Sequence, residues 1–124
     1  METIKVVIVE PEKAPEIRDI PADLSEYQRI VGGYIECVYP FRDRVGLVCN
    51  EEGKLLNLRP NRFLKRNGKP YDLIAGTFFV VGLGEEDFAS LTDEQARKYA
   101  KLYEIPDFLI IEDCGGIRVE EVKK

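Results

Sequence analysis

Leu73-Ile74-Ala75-Gly76-Thr77-Phe78-Phe79-Val80-Val81-Gly82 is the stretch that decides how this chain folds. Its apolar residues follow one another without the alternation of a strand that has one wet face. A run of β-branched and aromatic side chains of this kind reads as a strand covered on both sides. Leu73 to Val81 is therefore expected as one strand in the interior of a sheet. Gly76 interrupts it, which marks a bulge or a close approach by another backbone or a ligand. Gly82 and Gly84 release the chain.

The same logic applies to Ile4 to Val9, a β-branched run ended by Glu10-Pro11. It too is expected in the interior of the sheet rather than at an edge. Glu16 to Ile20 is a further extended segment between Pro15 and Pro21. Leu24, Tyr27, Ile30 and Val31 recur at helical spacing behind Asp23, which with Glu26 makes a capping-box-like pair. Gly32-Gly33 stops that helix. Tyr34 to Tyr39 alternates, with Ile35, Cys37 and Tyr39 on one side and Tyr34, Glu36 and Val38 on the other. Val45 to Cys49 and Lys54 to Leu58 flank Asn50-Glu51-Glu52-Gly53 and read as a hairpin. Arg59 to Asp72 is polar, carries Pro60, Asn67-Gly68 and Pro70, and reads as the longest loop. Thr92 and Gln95 form a capping box ahead of Ala96, Tyr99, Ala100 and Tyr103. Phe108 to Ile111 and Ile117 to Val122 read as strands joined by Gly115-Gly116. Hairpins grouped between two helices favour an α+β fold, a mainly antiparallel sheet with two helices packed on it.

The chain has 124 residues, the length of one ordinary domain, and at 44% hydrophobic it can build a core without metal or disulfides. Acids outnumber bases 23 to 18, so nucleic acid is an unlikely partner for the chain as a whole. Arg59, Arg62, Lys65, Arg66 and Lys69 are clustered in sequence and read as a solvated basic loop. Histidine is absent, which excludes Ser-His-Asp and Cys-His catalysis and every imidazole-bound zinc site. Cys37, Cys49 and Cys114 have no metal-binding or redox spacing and are expected as free thiols in a reducing compartment. The start, Met1-Glu2-Thr3-Ile4-Lys5, has no basic leader, and no apolar run approaches the roughly 18 residues of a membrane span. A cytoplasmic protein without membrane association is the expectation.

Several pieces together resemble one family. They are Val9-Glu10-Pro11 after the first strand, Val31-Gly32-Gly33-Tyr34-Ile35-Glu36, Val48 to Gly53, Pro60-Asn61-Arg62, Ile74 to Gly82, and Leu91-Thr92-Asp93-Glu94-Gln95. In order and spacing, residues 3 to about 103 resemble the DUF3846 family, a small domain of unknown function common in phages, plasmids and other bacterial mobile elements. Phe63 to Tyr71 is longer than the family pattern. Residues 1–103 are thus read as a family-like domain, and 104–124 as a C-terminal extension, a β-hairpin packed on the same domain. The resemblance implies a mobile-element context. By analogy, small acidic phage proteins act against host defence, by sequestering a signal molecule or blocking a host protein.

Candidate site residues gather around the hairpin and its exit. Asn50, Glu51, Asn57, Asn61 and Arg62 can hydrogen-bond a base, a ribose or a phosphate, and an arginine offers a fork to an anion. Gly76 and Thr77 allow a ligand near the backbone. Each residue taken singly also fits turn chemistry or a bulge. Tyr34 and Glu36 line a pocket or meet solvent. Gly82-x-Gly84 lacks the third glycine of a dinucleotide fingerprint, and Glu85-Glu86-Asp87 reads as a solvated turn. No catalytic residue, metal ligand or cofactor is assigned. The expected function is a non-enzymatic binding module for a small molecule, a nucleotide or a host protein. The alternatives are a protein inhibitor with an acidic, nucleic-acid-mimicking surface and an enzyme of unrecognised type.

Overall fold

The computed structural model describes residues 2–122. Its main sheet consists of β1 (Thr3–Val9), β2 (Glu16–Pro21), β3 (Ile35–Val38), β4 (Val45–Asn50), β7 (Phe78–Leu83) and the short β8 (Phe88–Ala89). The order is β2-β1-β7-β4-β3, with β8 paired to β7, and every pairing is antiparallel. Helices α1 (Leu24–Val31) and α2 (Asp93–Leu102) complete the α+β, mainly antiparallel fold read from the sequence.

The apolar runs explain the centre of this order. β1 from Val6 onward and all of β7 carry no polar side chain, so both of their faces must be covered, and both strands lie inside the sheet. Val7 sits opposite Val80 and Ile8 opposite Phe79; Val80 and Phe79 are in turn opposite Leu47 and Val48. The pleat sends these two rows to opposite sides. Val7, Val80 and Leu47 share a cluster with Ala96, Tyr99 and Tyr103 from α2 and its end. Ile8, Phe79 and Val48 share the other with Tyr27 and Val31 of α1. The two helices therefore cover opposite faces.

Local chemistry sets the helix ends. Asp23 caps α1 by accepting from the Glu26 amide at 2.8 Å, while the Glu26 carboxylate turns to Arg29 instead of closing the expected box. Gly32, left-handed at φ +80, ends α1 with its N–H donating to Gln28. At α2 the box is complete, Gln95 N donating to Thr92 and Thr92 N donating to the Gln95 side chain.

Three expectations need correction. Leu73 to Val81 is not one strand. It divides at Gly76 into the end of β6 (Lys69–Ala75) and β7, which belong to different sheets. Gly76 has φ +86, and a β-carbon there would stand 2.7 Å from Leu58 Cδ1, so the close neighbour is a leucine. Arg59 to Asp72 is not a loop: β5 (Pro60–Arg66) pairs with β6 around Asn67-Gly68, both at positive φ as a tight two-residue hairpin turn requires. Lys54 to Leu58 is not a strand. Residues 51–57 are successive turns, held by Leu56 N to Glu52 O at 2.9 Å and Leu58 N to Gly53 O at 3.0 Å.

The β5-β6 hairpin closes the α2 side of the core with Leu64 and Ile74. A further hairpin, β9 (Phe108–Asp113) and β10 (Gly116–Glu121), lies against β5. There Phe63 and Phe108 pack with ring centroids 4.9 Å apart, and Phe63 N donates to the Asp107 carboxylate at 2.9 Å.

Candidate functional site

The seven candidate residues do not form one site: Asn61, Arg62, Gly76 and Thr77 lie at one place, Asn50 and Glu51 at another, and Asn57 apart in the turn run. Asn61 and Arg62 stand on β5 but point into the protein, fully buried. Asn61 Nδ2 donates to Val9 O at 2.9 Å and to Gly76 O at 2.8 Å. Arg62 donates from Nη1 to Asn61 Oδ1 and Asn61 O, from Nη2 to Lys13 O and Tyr103 O, and from Nε to Tyr103 O. The guanidinium has five N–H donors, and five bonds engage them. Burial pulls its pKa below the ordinary arginine value, opposed by the charges of Asp107 and Tyr103. The expectation of an exposed Arg62 fork for an anion is therefore corrected. Pro60-Asn61-Arg62 ties the end of β1, the β6-β7 joint and the end of α2 together, with backbone carbonyls taking the donors that a phosphate would need.

Gly76 belongs to the same knot through Asn61 and through its own N–H, which donates to Arg59 O at 2.7 Å. Thr77 beside it is half-buried. Asn57 lies exposed at φ +54, the left-handed turn position that asparagine tolerates.

Asn50 and Glu51 lie elsewhere, at the end of β4. Asn50 is buried, its amide donating to Val31 O at 3.2 Å and its carbonyl accepting from Glu52 N at 2.8 Å. It anchors the turn run 51–57 to the end of α1. The Glu51 N–H donates to Tyr34 O at 2.9 Å, while its side chain is exposed.

Asn50 and Glu51 line a cleft of about 340 Å³ between that turn run and β6. Glu36, Glu52, Lys54 and Asp72 also line it. Lys54 donates to Asp72 at 2.5 Å, a bond from the turn run to β6 that holds the Asp72 carboxyl below its ordinary pKa. Four carboxylates thus face one ammonium, and that ammonium is engaged. At the base, burial and then the charge of Glu36 push the Cys49 thiol up to about 11, so it is neutral at pH 7. The cleft suits a positively charged or hydrogen-bond-donating group and repels phosphate. The sequence gives no signal for Glu52, Lys54 and Asp72 as a group, because their meeting depends on a hairpin that reads as a loop. Glu36 stands beside Cys49 across the β3–β4 pair, the same side as the cleft.

Elsewhere the basic cluster is split: Arg62 is buried, whereas Lys65, Arg66 and Lys69 stand exposed towards the β5-β6 turn, Arg66 lying 4.6 Å over the Tyr71 ring. The Asp87 side chain accepts from Phe88 N, and no group of three metal-ligating side chains occurs among the described residues. No helix among them is long and apolar enough to cross a membrane.

A small α+β domain with a carboxylate-lined cleft beside a sheet edge is the class that these features define. The family model of a domain of unknown function, DUF3846, matches residues 4–104, and the chain belongs to this family. No curated protein and no solved structure matches it significantly.

Proposed function

We propose that the protein is a binding module without chemistry of its own, and that the cleft between residues 50–55 and β6 receives a positively charged group of its ligand. The observation that carries this reading is the composition of that cleft. Glu36, Glu51 and Glu52 converge on a concavity whose cation, Lys54, is already held by Asp72. The nucleotide reading loses its support, since Arg62 is engaged inside the protein. The resemblance to a mobile-element family supports a phage or plasmid context, a cytoplasmic site of action and a host-derived ligand. Elsewhere on the surface carboxylates alternate with cations, as in Lys5–Asp93 and Arg29–Glu26. That mixture argues against a nucleic-acid mimic, which needs an uninterrupted acidic face.

Native mass spectrometry of the protein taken directly from cells tests the reading. A retained cationic molecule or protein, lost from a Glu51→Ala, Glu52→Ala double variant, is the expected result. Retention of an anionic ligand, unaffected by the double variant, would overturn it.

A further inference from the structure

The two edges of the main sheet are not alike. β2 follows Pro15, ends in Pro21 and carries Glu16, Arg18 and Asp19, the kind of charge and proline that discourages another strand. β3, Ile35-Glu36-Cys37-Val38, has neither proline nor lysine. Its inner side is paired with β4. Glu51 N donates to Tyr34 O, so Tyr34 and Glu51 form a hydrogen-bonded pair. In an antiparallel ladder such pairs alternate. Glu36 and Val38 therefore bond inward, and the N–H and C=O groups of Ile35 and Cys37 point outward. Among the described residues no backbone bond reaches those outer groups.

From this edge the geometry points to a docking site for an extended basic segment of a partner protein, which adds to β3 as a further strand and brings a lysine or arginine to the acidic cleft. The inference rests on the cleft reading above and adds the partner and its mode of attachment. The pleat dictates the sequence such a segment needs. Glu36 lies on the cleft side with Cys49, and the residue opposite it in a non-hydrogen-bonded pair has its β-carbon about 4.5–5.5 Å away. That residue must be cationic, because Glu36, Glu51 and Glu52 are all carboxylates. Its two neighbours fall beside Ile35 and Cys37 on the α1 side, where those side chains pack half-buried against an apolar cluster. They must be apolar. The partner reads apolar–basic–apolar across three residues. Tyr34, 67% exposed at the start of the edge, and Leu56, 55% exposed, offer further apolar surface beside it. A second copy of this chain fits poorly, since it would set Glu36 against carboxylates.

The test uses the full chain and a capped heptapeptide, Thr-Thr-Val-Arg-Val-Thr-Thr, followed by amide NMR. Binding should shift Ile35 to Val38 and slow the hydrogen exchange of the Ile35 and Cys37 N–H groups. Glu36→Lys should weaken binding about tenfold or more, and a peptide with glutamate in place of arginine should recover affinity for that variant. Two peptides separate the readings. If a heptapeptide N-methylated at its valines binds as well as the parent, strand pairing is wrong while the cation site stands. If neither peptide nor capped single arginine shifts Glu36, Glu51 or Glu52, both readings fall. Shifts at Ile35 to Val38 that follow protein concentration without peptide would assign the edge to a second copy and overturn the proposal.

Discussion

Nη1 of Arg62 donates to Oδ1 of Asn61 at 2.8 Å, and both side chains are buried. Asn61 in turn holds Val9 and Gly76, while Arg62 holds Lys13 and Tyr103. Adjacent residues thus secure the end of β1 with the turn after it, the β6-β7 joint and the end of α2. Arg62→Ala leaves carbonyl oxygens without donors and opens a void, so it should lower stability by about 3 kcal/mol or more. Arg62→Lys keeps the charge but not the fork, and should fall between. Chemical denaturation measures both. An alanine variant as stable as the parent would remove the knot from the account.

Phe79 and Val7 occupy opposite faces of the central strands and have no exposed surface. An aspartate at either place is a carboxylate without a partner among apolar side chains. The cost, on the order of several kcal/mol, approaches the whole stability of a domain this size. Phe79→Asp and Val7→Asp should each be unfolded at 25 °C by circular dichroism.

Gly32 and Gly76 separate two causes of glycine preference. Both have positive φ, but a β-carbon on Gly32 meets nothing within 4 Å, whereas one on Gly76 meets Leu58 Cδ1 at 2.7 Å. Gly32→Ala should cost about 1 kcal/mol, the backbone share alone. Gly76→Ala should cost about 2 kcal/mol or more, and Leu58→Ala in the same chain should recover part of the difference. Melting temperatures of the three variants read this directly.

The Cys49 thiol is raised to about 11, chiefly by burial. Folding therefore favours its neutral form. That stability is fully present below the unfolded thiol's value of about 8.5 and is lost as pH climbs towards 11. Cys49→Ala should flatten the decline of the urea midpoint between pH about 8.5 and 11. In native alkylation near neutral pH, exposed Cys114 should react first, with Cys49 last.

The parts legible in the sequence are those where one local pattern has one meaning. Ile4 to Val9 and Phe78 to Val81 are apolar on both faces, so their central place follows from burial alone. Thr92 and Gln95 mark the start of α2 by a reciprocal bond within four residues. Gly76 was ambiguous because a glycine within an apolar run looks the same whether the strand bulges or passes to another sheet. β5 and β6 were hidden because Lys65, Arg66, Lys69 and Pro70 face solvent, and hairpin ends of that kind have loop composition. The burial of Arg62 is hidden in the sequence for a deeper reason. A polar residue goes inside only where acceptors await it, and besides its neighbour Asn61 the acceptors come from Lys13 and Tyr103, distant in sequence. The same distance conceals the cleft, since Lys54 and Asp72 meet only after the turn run and β6 are both in place.

The position of β1 between β2 and β7 also has a kinetic consequence. During synthesis Val7 emerges well before its partner Val80, which follows only after β5 and β6. Until then β1 can hold only β2, and its other edge stays open. Closing so wide a chain separation places the sheet among slow-folding, high-contact-order topologies. Until β7 is made the nascent chain carries an apolar strand with one edge open, the interval in which strand-to-strand aggregation competes with folding. Refolding should accordingly tolerate dilution far better than concentration, with β7 as the segment that ends the vulnerability.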